Sequence, residues 1–252
     1  MRELAGHDAL VTGGTRGVGL ALALGLARAG MHTTLTHRWG SADEDALRRR
    51  FEDLDAPPPT IVESDAGHAG DRHALVEGLS RCPRVLVSNV CVAARAGALS
   101  RREWQRALRY SVEPLDRLLE LCEDRFHALP EVIIASSSDG PDHYYPGYDY
   151  VALSKAALEA RIARLAGTLP AGHVAFALRA RQVDTASLER FFPTALLHRH
   201  RRFAVREDEL ATAARLLAGG AFDGASGQTL SLDHGTRTVD NLVALAPYME
   251  AR

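Results

Sequence analysis

Three cysteines in 252 residues, with no CxxC pair among them, leave little material for a disulfide framework or a thiolate metal site. Cys82, Cys91 and Cys122 each fall beside apolar residues and read as small buried or half-buried side chains, so a reducing compartment is expected. Charge of one sign is also missing. Thirty Lys and Arg oppose 32 Asp and Glu, a formal net charge of −2, so no global basic footprint calls for nucleic acid. No stretch has the length of a membrane span. The opening "MRELAGHDALVTGG" has no long apolar run after its single arginine and does not read as a secretory signal, so a cytoplasmic protein is expected. No internal repeat is visible. The one break in composition, "DAPPPT" (55–60), is short enough to be a surface loop, which leaves 1–252 as a single domain.

What remains is an alternation. Short apolar, β-branched runs stand at "DALVTG" (8–13), "HTTLTH" (32–37), "TIVESD" (60–65), "RVLVSN" (84–89), "EVIIASS" (131–137), "HVAFALR" (173–179) and "QTLSLD" (228–233). Helical patterns such as "GVGLALALGLARAG" and "EDELATAARLLAGG" lie between them; the latter has acids in its first turn and glycines after its last apolar residues. Nearly continuous apolar strands alternating with helices imply a doubly wound α/β fold, a parallel sheet with helices on both faces. In such sheets ligands bind beyond the carboxyl ends of the strands.

"VTGGTRGVGLALALGLARAG" joins the first strand to the first helix. Gly13 permits the tight turn, Gly17 lets backbone approach a phosphate, and Gly19 lets the helix pack on the sheet. The helix N-terminus then offers free N–H groups to a pyrophosphate. The second strand ends "THRW", with His37 and Arg38 and no carboxylate to accept hydrogen bonds from the ribose hydroxyls of NAD. Arg16 lies inside the glycine loop. Two guanidinium groups suit a 2′-phosphate, because each forms a charge-assisted fork, and NADP(H) is favoured over NAD(H).

The spacing Thr-Gly-x-x-x-Gly-x-Gly resembles the classical short-chain dehydrogenase/reductase family, and the likeness runs from "TGGTRGVG" to "GQTLSLDHG". It implies a Rossmann-type sheet of about seven strands, a nicotinamide cofactor and a homo-oligomer, a dimer or a tetramer built from helix pairs. Carried over residue by residue, it implies that Thr12, Gly13, Thr15, Arg16, Gly17, Val18 and Gly19 belong to the cofactor site, with Asp65 and Ala66 at the adenine and Asn89 near the ribose. Val183 and Thr185 keep the pattern that follows the sixth strand.

In that family a serine polarises the substrate carbonyl and a tyrosine supplies the proton as hydride arrives. A lysine on the tyrosine's helix binds the nicotinamide ribose and lowers the tyrosine's pKa. The match puts Ser137 in the serine position, with Ser138 one step off, and Lys155 in the lysine position. The tyrosine is displaced. Val151 stands four residues before Lys155, Tyr150 five and Tyr148 seven. At about 100° per residue, positions five apart diverge by roughly 140° and positions seven apart by only about 20°. A π-bulge could absorb the extra residue and return Tyr150 to the site. Tyr148 could swing in from the helix start, or the substrate could bring its own proton donor. Alternatively Tyr144, Tyr145, Tyr148 and Tyr150 line a pocket or subunit contact.

Neighbouring positions have drifted too. The family's Asn-Asn-Ala-Gly turn reads "SNVC" (88–91), its helix asparagine is Ser111, and its Pro-Gly after the sixth strand is Ala180-Arg181. The segment 181–206 is expected to be a substrate lid, whose "LERFFPTALL" suits a flat hydrophobic ligand. His198 and His200 in "HRHRR" lack a third ligand, so no metal is expected. The expectation is an NADPH-dependent ketoreductase of atypical catalytic design, acting on a bulky hydrophobic or aromatic, polyketide-like specialised metabolite. An enzyme of the same fold with no net redox step (a cyclase or isomerase) and a non-catalytic NADPH-binding subunit are the alternatives.

Overall fold

The structure, a computed structural model, describes residues 1–40, 42–92, 100–145, 147–181, 183 and 204–236. Seven parallel strands form one sheet in the order β3-β2-β1-β4-β5-β6-β7. They are β1 (Asp8–Val11), β2 (His32–His37), β3 (Thr60–Glu63), β4 (Val85–Ser88), β5 (Val132–Ser137), β6 (Val174–Ala180) and β7 (Thr229–Leu232). The central strands β4, β5 and β6 are buried along their whole length, while the edge strands β3 and β7 are not. This is why the middle of the sheet reads as unbroken apolar sequence and the edges do not. The expected strands are found to within a residue or two at each end.

Seven described helices cover the sheet: α1 (Gly17–Ala27), α2 (Glu44–Glu52), α3 (Ala69–Glu77), α4 (Arg101–Ser111), α5 (Glu113–Phe126), α6 (Asp149–Ala166) and α7 (Glu207–Ala218). Adjacent residues on a strand face opposite sides, so Val11 joins the core beneath α1 and α7, whereas Leu10 joins the core beneath α3, α5 and α6. The doubly wound reading holds. No described helix is long and apolar enough to cross a membrane.

Helix α1 is buried from Gly19 to Ala27, lying between the sheet and α7. A helix enclosed on all sides needs no polar face, which explains its run of Leu, Ala and Gly. At Gly25 an added Cβ would lie 2.1 Å from the backbone oxygen of Ala211 on α7. Side chains there must be absent for the two helices to touch. Gly25→Val is expected to destabilise the fold by about 1–3 kcal/mol through overpacking, measured as a lower urea midpoint. An unchanged midpoint would mean that the α1–α7 contact is loose.

Of the expected lid (181–206), Arg181, Val183 and residues 204–206 are described, and Val183 pairs with Val205 in an isolated parallel bridge. Thr185, "LERFFPTALL" and "HRHRR" lie outside the described residues.

Candidate active site

The loop between β1 and α1 is strapped to its neighbours. Thr12 N and Gly14 N donate to the carbonyls of Val87 and Thr36, and Gly13 N donates to Thr36 Oγ1 at 3.1 Å. Gly13 and Gly17 adopt left-handed φ values of 62° and 54°, conformations that favour glycine. Gly19 meets the loop itself, since a Cβ there would stand 2.3 Å from Gly13 O. Thr15 is buried, Val18 half-buried and Arg16 exposed. The N-terminus of α1 carries no side-chain cap and no acid in its first turn. Its N–H groups are therefore directed at whatever fills the loop. Asn89 was expected near a ribose. Its amide donates to the carbonyls of Thr12 and Gly13 at 3.2 and 3.1 Å, so it braces the glycine loop from β4.

His37 closes β2, buried, with Nδ1 lacking a hydrogen-bond partner. Arg38 follows, its side chain one-third exposed. Asp65 and Ala66 follow β3. The Asp65 carboxylate accepts from Gly67 N at 2.9 Å, and Ala66 O accepts from Arg72 at 2.6 Å.

Helix α6 is regular from Asp149 to Ala166, with no π-bulge to return Tyr150 to the cofactor side. Tyr150 is buried, and its hydroxyl accepts from the backbone N–H of Ser100 at the start of α4. Helical phase thus turns Tyr150 toward α4. Tyr148 takes the other direction. It stands at the N-cap of α6, its ring packed so closely on Gly140 that a Cβ there would meet Cε1 at 2.8 Å. Tyr145 supports it edge-on, with ring centroids 5.8 Å apart. The Tyr148 hydroxyl is in the neighbourhood of Ser138, Cys91 and Asp139. Ser111 Oγ in turn donates to Cys91 Sγ at 3.4 Å. Hydroxyl and thiol groups from four segments therefore meet beyond the carboxyl ends of β4 and β5.

Burial drives the Tyr148 pKa well above the ordinary phenol value; Ser138 opposes this, and the electrostatic influence of Cys91 and Asp139 adds to it. Lys155 has a different setting. Buried on the second turn of α6, it donates from Nζ to Ser136 O at 2.5 Å. It is also the only lysine in the chain.

Ser137, the first choice for the family's serine, is differently employed. Its Oγ donates to Glu159 Oε1 at 2.5 Å. Glu159 holds Arg179 through two bonds of 3.0 and 2.6 Å, and Arg179 also pairs with Asp142. Alternation on a strand explains the difference, since neighbours point apart, and Ser138 is the one that meets Tyr148. The sequence reading missed this ion network and its companion, in which Arg181 pairs with Asp139 at 3.0 Å and Tyr145 donates to Asp139 at 2.5 Å. The signal was present. Two arginines at the end of an otherwise apolar strand, "VAFALRAR", must find carboxylates when that end is buried. Among the described residues no group of His, Cys, Asp or Glu could hold a metal.

Comparisons with known proteins agree with this fold. The family model described as enoyl-(acyl carrier protein) reductase matches residues 13–237. The short-chain dehydrogenase/reductase FrzI of Cladobotryum sp is 26% identical over 161 residues, 62% of each chain. The 3-oxoacyl-[acyl-carrier-protein] reductase MabA of Mycobacterium tuberculosis is 32% identical over 114 residues, 40% of this chain and 46% of that one. The matched part is thus less than two thirds of the length of these relatives. Among solved structures, a 7α-hydroxysteroid dehydrogenase complexed with NADH and 7-oxo glycochenodeoxycholic acid superposes with a TM-score of 0.80 at 20% identity, covering 92% of this chain and 95% of that one. A short-chain dehydrogenase from Burkholderia cenocepacia in complex with NADP gives 0.78 at 23% identity, covering 94% and 100%. The chain belongs to the short-chain dehydrogenase/reductase family of oxidoreductases.

Proposed function

We propose that the chain is an NADPH-dependent ketoreductase in which Tyr148 and Ser138 do the work of the family's tyrosine and serine. The observation that carries this reading is the approach of Tyr148 to Ser138 just past β5, on the same helix as the buried Lys155. The residues present fit a phosphorylated dinucleotide. The uncapped start of α1 suits the pyrophosphate, the partnerless Nδ1 of His37 suits a ribose-side acceptor or donor, and Arg38 suits a 2′-phosphate. Asp65 and Ala66 would take the adenine, and Lys155 the nicotinamide ribose.

When bound, the nicotinamide supplies hydride to the ketone carbon. Ser138 then steadies the oxygen on which charge develops, and Tyr148 delivers the proton. A phenol with a raised pKa stays protonated at neutral pH, so the proton that reduction consumes is present at the site. The apolar and aromatic composition of 188–197 supports a bulky hydrophobic ketone, polyketide-like or steroid-like in shape. The chain is read as working as a dimer or tetramer, which a sedimentation experiment would check.

The test is consumption of NADPH with a panel of bulky aromatic and alicyclic ketones. Turnover with none of them, although NADPH binds, would favour a subunit without chemistry of its own. Arg38→Ala is expected to reduce the preference for NADPH over NADH by about tenfold to a hundredfold, the range for charge-assisted bonds. Equal affinities in the unmodified protein would overturn the cofactor assignment.

A further inference from the structure

Arg38 is held before any ligand arrives. Its guanidinium lies 3.8 Å from the ring centroid of Trp39 and 5.3 Å from that of Tyr110 on α4. Nη1 donates to Tyr110 Oη at 3.1 Å and lies 3.5 Å from Asp65 Oδ2. Tyr110 Oη itself donates to the same carboxylate oxygen at 3.1 Å. Three elements contribute: Arg38 leaves β2, Asp65 leaves β3, and Tyr110 precedes the last residue of α4. The closed triangle stands at the carboxyl ends of β2 and β3.

We propose that Arg38, Asp65 and Tyr110 form a latch that rejects dinucleotides lacking a 2′-phosphate, with Tyr110 as a specificity-determining residue. The inference rests on the dinucleotide reading above, which puts the adenosine half between Arg38 and Asp65. Seating that half separates the guanidinium from the carboxylate and the phenol. A 2′-phosphate returns an anion to both Arg38 and the Tyr110 hydroxyl in exchange, so that removing the hydroxyl costs NADPH one bond while sparing it another. An unphosphorylated ribose returns only neutral hydroxyls and leaves the broken contacts uncompensated. Discrimination of this kind works by penalising the wrong ligand. An aromatic hydroxyl at position 110 raises the penalty, because it bonds both members of the ion pair at once.

The test measures dissociation constants of NADPH and NADH for the unmodified protein, Tyr110→Phe, Arg38→Ala and the double variant, following quenching of tryptophan fluorescence. Trp39, exposed and beside Arg38, is placed to report binding. Removing the hydroxyl should tighten NADH binding about threefold to tenfold and change NADPH binding by less than about twofold, as expected for one hydrogen bond to a charged group at a partly exposed site. In the Arg38→Ala background the same change should leave the NADPH-to-NADH ratio where it was, because the coupling partner is gone. A purely structural role for Tyr110 would move both constants together, along with the melting temperature.

An unaltered ratio in Tyr110→Phe, with NADPH preference present in the unmodified protein, overturns the latch and leaves the cofactor reading standing. Weaker NADPH binding with unchanged NADH binding also overturns it, since Tyr110 would then only pre-position Arg38. Unmodified protein that binds neither dinucleotide, or both equally, overturns the cofactor reading and the latch with it.

Discussion

Tyr148→Phe is expected to lower the turnover of ketone reduction by about 10²–10⁴-fold, the range a positioned general acid supplies. Tyr150→Phe should cost less than about tenfold, since that hydroxyl is tied to the backbone at the start of α4. The pair of variants separates two accounts that the sequence leaves open. Both rings sit at the start of α6, both are removed conservatively, and only one meets Ser138. A collapse of activity in Tyr150→Phe, with Tyr148→Phe unaffected, would restore the family's usual geometry and require α6 to rearrange on binding. The pH profile adds a second check. Burial raises the Tyr148 pKa, so the donor form persists through neutral and mildly alkaline pH, and the rate of reduction should be flat from about pH 7 to about 9. Alcohol oxidation needs the opposite, a phenolate to take the proton, and should be slow over the same interval. A reduction rate that falls tenfold per pH unit across that interval would mean that the phenol ionises early and that the burial argument fails.

Lys155→Ala should weaken NADPH binding or turnover by about 10²-fold, comparable to removing one preorganised donor from an active site. Nζ is buried and bonded to Ser136 O, on the strand that leads to Ser137 and Ser138. Because Tyr148 lies two helical turns from it, the loss should appear in cofactor affinity while the flat pH profile of reduction is kept. In the family's usual arrangement the same variant would instead move the pH dependence, since lysine there sets the tyrosine pKa. Lys155→Arg should recover only part of the loss, as a planar fork does not fit where a compact ammonium points at one carbonyl. Wild-type affinity and rate in Lys155→Ala would mean that the active site lies elsewhere.

The fold was legible because its signals are local. Strand burial writes itself as apolar runs, and the glycine loop shows its function in spacing alone, from Gly13 to Gly19. The phase of α6 was legible too: a regular helix turns Tyr150 away and brings Tyr148 round, and the structure has both. The serine was less so. Ser136, Ser137 and Ser138 are chemically identical in sequence, and a shift of one residue reverses the face each presents. Only the packing of Glu159 and Arg179 assigns Ser137 to one side. Tyr110 was not legible at all. Its importance lies in meeting Arg38 and Asp65, residues 72 and 45 positions away, and nothing periodic connects them.

The solitary lysine has a practical corollary. Every other fixed side-chain cation is a guanidinium or an imidazole, so the exterior of the described molecule offers no side-chain amine. Acylating and reductively alkylating reagents will find the α-amino group and little else until they enter the cleft. A second equivalent of label is therefore a count of opened active sites, and bound dinucleotide should suppress it. Lysine-directed cross-linkers will be poor reporters of subunit association through these 252 residues.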